Sequence, residues 1–88
     1  MVTYSDLCTA IVKKKINFIG HNQVIPLVRA LGLKVDDDGN VEGAGKRDLE
    51  KLANELKRIS GQLGVILARM AIHPLIKNET IDIPEVLK

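Results

Sequence analysis

Three side chains in this sequence are soft metal ligands: Cys8, His21 and His73. Zinc sites in proteins usually draw pairs of such ligands from positions a few residues apart. These three are widely separated, so we expect no metal site within one chain, and no other cofactor. Cys8 has no partner for a disulfide bond within the chain. It falls on the apolar face of the first predicted helix, where a buried, inert thiol is expected.

Acidic and amide side chains cluster at Asp36, Asp38 and Asn40 around Gly39, which invites comparison with a calcium-binding loop. When Gly39 takes the sixth position of such a loop, the first ligand position falls on a lysine. The twelfth position, which needs a glutamate, falls on a glycine. We therefore interpret this stretch as a solvated acidic turn.

A second comparison concerns the glycines at 43 and 45, which stand before Lys46 and a predicted helix. A phosphate-binding P-loop needs a glycine where Asn40 stands and a serine or threonine where Arg47 stands. The segment is interpreted as a flexible loop. No nucleophile lies beside a candidate base in any recognised arrangement, so we expect no catalytic residues and a protein that is not an enzyme.

The strongest pattern runs from Lys46 to His73, where the sequence predicts one long helix. Its apolar residues recur at alternating spacings of three and four, the heptad pattern of a coiled-coil seam. They are Leu49, Leu52, Leu56, Ile59, Leu63, Ile66 and Met70. The pattern predicts that these seven residues form an oligomer interface between copies of the chain.

The predicted length of this helix leads to the same expectation. About 28 residues make a rod of about 42 Å, whereas a compact chain of this size has a diameter of about 31 Å. The chain should therefore be unable to wrap its own helix. Leucine in one core column and mostly isoleucine in the other favour an assembly larger than a parallel dimer, and an antiparallel dimer remains open.

The second half of the predicted helix, from Ile59 to Ile72, is almost wholly apolar and carries one charge, Arg69. A helix that is apolar all round is usually buried all round. Small residues recur every four positions at Ser60, Gly64 and Ala68, which should let another backbone approach closely. A membrane span needs about 20 apolar residues. This run is shorter, so we expect packing between protein chains and no membrane partner.

The remaining elements follow from caps and breakers. Thr3 and Asp6 are spaced as in a capping box at the start of the first helix, and Asn22 can cap the second. Residues 1–88 are expected to form a single, mainly α-helical domain with a short β-hairpin, joined to its copies in a homo-oligomeric helical bundle. The predicted helices cover about 4–15, 23–31 and 46–73, the hairpin about 33–43, and an extended tail 78–88. Residues 16–19 favour a short strand or a buried connection, with residues 80–83 as a strand that could lie beside them.

The net charge of +2 is small, and acidic and basic stretches alternate along the chain. This banding gives little support for nucleic-acid binding. Basic residues that could contact phosphates are Lys13, Lys14, Lys15, Lys46, Arg47, Lys51, Lys57 and Arg58. The absence of a signal peptide and the single cysteine predict a cytoplasmic protein.

Three functions are compatible with these observations. The first is a non-enzymatic oligomerisation or protein-interaction module, a structural or regulatory subunit whose partner is itself or another protein. The second is a dimeric DNA-binding regulator of winged-helix-like type. The residues between the second and third helices are far more numerous than the 3–4-residue turn of a helix-turn-helix, so DNA ranks behind protein as a partner. The third is a small subunit of an enzyme.

Overall fold

The computed structural model describes all of residues 1–88, in which three helices pack with a two-stranded antiparallel hairpin. In chain order the elements are α1 (Tyr4–Ile19), α2 (His21–Ala30), β1 (Lys34–Val35), β2 (Val41–Glu42), α3 (Lys46–Ile76) and a short 3-10 turn (Glu85–Leu87). The predicted fold class is confirmed in that the chain is mainly helical and carries a hairpin.

Helix α1 begins with the predicted cap. The Thr3 hydroxyl accepts a hydrogen bond from the Asp6 amide (3.1 Å), and the Asp6 carboxylate accepts one from the Thr3 amide (3.0 Å). The predicted end of this helix at Lys15, and the strand proposed for 16–19, are wrong. Ile16 is buried one turn beyond Val12, so the apolar face continues and the helix ends only at Gly20, where φ is +87°.

Helix α2 starts directly after Gly20, at His21, and not at the predicted Asn22 cap. Pro26 therefore lies in the second turn, where its missing amide leaves the Asn22 carbonyl without its helical partner. Asn22 is exposed, so water can satisfy that carbonyl. Val24 and Val28 lie one helical turn apart, and both are buried on the side of α2 that faces the core.

The hairpin pairs Lys34 with Glu42 and Val35 with Val41. It is fixed to α1 through Thr9, whose hydroxyl accepts a hydrogen bond from the Val41 amide (2.8 Å). Inward-facing Val35 and Val41 are both buried. The hairpin therefore covers one side of the helical core.

Helix α3 is bent sharply, which corrects the prediction of one straight rod. Gly61 has φ +59° and ψ −144°, and helical geometry is interrupted there. We call residues 46–60 the N-terminal arm and residues 62–76 the C-terminal arm. A straight helix of 31 residues would be about 46 Å long, but the longest axis of the molecule is 33 Å. The chain therefore wraps its own helix by folding the helix back on itself.

The two arms touch just beyond the bend. A Cβ atom at Gly64 would lie 2.3 Å from the Leu56 carbonyl oxygen, so only glycine allows this approach. Asn54 of the N-terminal arm and Val65 of the C-terminal arm line the same surface depression. The close backbone approach expected from the small residues thus occurs within one chain.

Residues after Ile76 return along the start of the chain. The Val2 amide donates to the Glu79 carboxylate (2.7 Å), and the Tyr4 hydroxyl donates to the Asp82 carbonyl (2.6 Å). The predicted extended tail is correct only in part, because Glu85–Leu87 forms a 3-10 turn whose last residue is buried. No strand forms at 80–83, since the segment proposed to pair with it is helical.

Candidate functional site, an exposed apolar stripe

The C-terminal arm of α3 is apolar on two sides, and only one of them is covered. Its covered side consists of Gly64, Val65, Ala68 and Ile72. On the other side lie Leu63, Ile66 and Met70, whose exposed fractions are 62%, 45% and 55%. At 100° per residue these three residues centre almost opposite the covered side. We call Leu63, Ile66 and Met70 the exposed stripe.

More apolar surface adjoins the bend. Ile59 is 40% exposed, and Phe18 and Ile19 at the end of α1 are 61% and 44% exposed. The ammonium of Lys15 donates to the Ser60 hydroxyl at 3.0 Å, which holds the last turn of α1 next to the bend of α3. Several large apolar side chains are therefore exposed in one region, whereas isolated exposed apolar residues are ordinary.

The seven predicted interface residues divide at the bend. Leu49, Leu52 and Leu56 are at most 2% exposed and belong to the core of their own chain. For these three, intramolecular packing replaces the predicted partner, because the folded-back arm and α1 cover them. The other four residues, Ile59 and the exposed stripe, are uncovered. The Ser60–Gly61 pair was the signal in the sequence for this division, since sharp helix kinks occur at Gly/Ser pairs.

The charged groups beside the stripe are few. Arg69 donates to the terminal carbonyl of Lys88, which directs its guanidinium toward the tail. His73 on the same arm and Lys77 just after it are exposed and form no ion pair. The stripe itself carries no polar group, so it can bind only by apolar contact.

Three of the eight candidate phosphate-contacting residues are engaged within the chain. Lys15 is buried against Ser60, as described above. Lys46 forms an ion pair with Asp82, and Arg58 forms one with Glu55. The other five, four of them exposed, make no ion pair. They are Lys13, Lys14, Arg47, Lys51 and Lys57.

The sulfur and imidazole groups do not meet. Cys8 is fully buried in the core, and burial, with a smaller effect of Asp48, raises the pKa of its thiol to about 12. The thiol is therefore protonated and unreactive at neutral pH. His21 and His73 are exposed on different helices, and no three metal-ligating side chains of the His, Cys, Asp or Glu type lie together.

The acidic turn uses its own carboxylate to hold its shape. One Asp36 oxygen accepts hydrogen bonds from the Asp38 and Asn40 amides, both at 2.9 Å, and the other accepts one from the Asn40 side chain at 3.0 Å. These bonds, chiefly those from Asn40, lower the pKa of Asp36. At the start of α3, the Asp48 carboxylate accepts from the Gly45 amide at 3.0 Å, so this helix end is capped from within.

A surface depression of about 370 Å³ lies between α2 and the hairpin and is lined mainly by polar residues.

By length and mean hydropathy (1.4 over 18 residues) α3 is the one helix that could cross a membrane, and 22% of that window is buried. This is a weak indication on its own. The bend at Gly61 leaves two arms of about 15 residues each, and a span needs about 20.

Comparison with known proteins gives no relative: no family model, no curated protein and no solved structure matches this chain.

Proposed function

We propose that this chain is a non-enzymatic interaction module that self-associates through the exposed stripe. The observation that carries the proposal is the uncovered row of Leu63, Ile66 and Met70 on the side of the C-terminal arm that faces away from the core. Their spacing of three and four residues is the spacing with which helices of one sequence pack against each other. A second copy presents the same row, so a twofold arrangement is self-complementary.

The size of the stripe sets the expected strength of association. Covering a half-exposed Leu, Ile or Met side chain contributes about 1 kcal/mol, so Ile59 and the stripe contribute about 8 kcal/mol in a dimer. Association costs about 4–15 kcal/mol in lost freedom. At the low end of that cost about 4 kcal/mol remains, so we expect a weak dimer with a dissociation constant of about 1 mM.

The test is the molar mass in solution as a function of concentration. Light scattering or sedimentation should give 9.7 kDa at low concentration and a rising mass at high concentration. The double variant Leu63→Glu/Met70→Glu should remain at the mass of one chain throughout. Gln62→Glu is the matched control, because Gln62 is exposed on the same arm outside the stripe. A wild-type mass that stays at one chain up to millimolar concentration would refute the proposal.

A further inference from the structure

Helix α3 bends at a glycine, a residue type that favours a bend. The heptad spacing of its apolar residues, however, is that of a straight helix. Gly61 has φ +59° and ψ −144°, a conformation essentially restricted to glycine. The heptad spacing nevertheless runs through the bend without interruption, from Leu56 through Ile59 to Leu63. Two helices that merely follow one another have no reason to share a register. A continuous register is a property of one continuous helix.

The same sequence therefore supports two arrangements of α3. In the bent arrangement, the seam is divided: Leu49, Leu52 and Leu56 face the core, and the later residues face outward. In a straight arrangement, all seven residues of the seam would lie along one side of a single helix. The straight arrangement would also withdraw the C-terminal arm from the core and leave Ala68 and Ile72 without their contacts.

We propose that α3 straightens at Gly61 and that two copies of the chain exchange their C-terminal arms, so that residues 62–88 of each copy complete the core of the other. This inference rests on the proposed self-association and names its partner and its mode. The occupant is a second copy because the vacated space fits Ala68, Ile72 and Leu87, which are buried there in the single chain. Only another copy supplies the same three side chains at the same spacing.

Exchange re-forms the contacts of the single chain between two chains. The ion pair between Lys46 and Asp82 (2.5 Å) and the hydrogen bond from Val2 to Glu79 (2.7 Å) would both become intermolecular. The additional stabilisation of the dimer relative to two separate chains comes from the hinge. There two straight helices run past each other, and Ile59 and Leu63 of each can be covered by the other. Short hinges that join two packed elements are the places where domain swapping arises.

Gly61 allows the bent form to be penalised selectively. Alanine at position 61 cannot easily adopt the bent backbone, but it suits a straight helix. Alanine at position 64 is not selective. Its Cβ would lie 2.3 Å from the Leu56 carbonyl oxygen in the bent form, and it would meet the Leu56 carbonyl of the other copy when the exchanged arm fills the same space. Each dimer removes two bends, so Gly61→Ala should lower the dissociation constant by about 30-fold or more.

The controls are Gln62→Ala and Asn54→Ala. Both residues are exposed on α3, and both changes raise helix propensity while Gly61 is kept. We expect light scattering to give twice 9.7 kDa for Gly61→Ala at concentrations where wild type and controls are monomeric. A Gly61→Ala variant that is folded by circular dichroism but monomeric, with no gain in association over the controls, would overturn the inference.

The exchange of C-terminal arms is measured by cross-linking. Chains labelled with ¹⁴N and with ¹⁵N are unfolded together, refolded and treated with a carbodiimide, which joins the Lys46 amine to the Asp82 carboxylate. Arm exchange predicts that about half of the linked peptides from the dimer are of mixed label. A dimer with links only between peptides of one label would overturn exchange while leaving self-association through the stripe intact. Should Gly61→Ala fail to fold, the same measurement on concentrated wild-type protein decides.

Discussion

Replacing two isoleucines of the C-terminal arm in turn tests which side of the arm completes the core. Ile72 is 1% exposed and Ile66 is 45% exposed, and six positions separate them by about 120° around the axis. The same change, isoleucine to alanine, should therefore lower the free energy of unfolding by different amounts at the two positions. Ile72→Ala removes buried atoms and leaves a cavity, which costs about 2–5 kcal/mol. Ile66→Ala should cost less than about 1 kcal/mol, because much of its side chain is already in water.

The assay is chemical unfolding followed by circular dichroism, at a concentration where light scattering gives the mass of one chain. In thermal unfolding, Ile72→Ala should lower Tm by at least about 8 °C, since 1 kcal/mol corresponds to about 4–8 °C in a domain of this size. Equal losses for the two variants in the monomer would refute the assignment of the covered side. At high concentration, the cost of Ile66→Ala should rise, because self-association covers that residue.

Two further predictions concern the hairpin. Gly39→Ala should lower the free energy of unfolding by more than Gly43→Ala in denaturant titrations. Both glycines have positive φ, but only at Gly39 would a Cβ meet α1, 2.9 Å from a methyl carbon of Ile16; equal losses would contradict this packing. Asp36→Ala should lower Tm at pH 7. Because folding lowers the Asp36 pKa from 3.8, the stabilisation is present above that pH and is lost as the pH falls through the lowered value. The Tm difference should therefore shrink below pH 3.8; a constant difference would show that ionisation of Asp36 does not matter.

Local signals in the sequence predicted the fold where the deciding contacts are local. The cap at Thr3, the hairpin with its acidic turn and the start of α3 all depend on residues within a few positions of each other. The bend does not. Large side chains at 63, 66 and 70 outweigh the small ones in any count of periodicity, although the small residues Gly64 and Ala68 are the ones that face the core. The side of the arm that carries these small residues is the covered one, because the two arms approach closely only where the side chains are small. This is a tertiary effect, which the periodicity of apolar residues does not report.

The same limit applies to the candidate site. The seven-residue seam contains all three residues of the exposed stripe, so the stripe could be predicted in part. Its boundary is marked in the sequence only by the Ser60–Gly61 pair, which permits a bend but does not require one. Whether the chain turns back there depends on tertiary contacts. The apolar residues at the end of α1, Phe18 and Ile19, were missed for a related reason. Residues 16–19 favour a strand by composition, and only the helical continuation of α1 brings them to the bend.

The contact between the first and last parts of the chain has a consequence for the rate of folding. Val2 and Glu79 are joined by a hydrogen bond across 77 residues, and Tyr4 and Asp82 by one across 78. Helical proteins usually fold fast because most of their contacts are local. Here α1 cannot be completely covered until nearly the whole chain has been closed into a loop, which costs entropy before those contacts stabilise anything. Folding should therefore be slower than the helical content alone implies, and late segments should acquire protection from hydrogen exchange together with early ones.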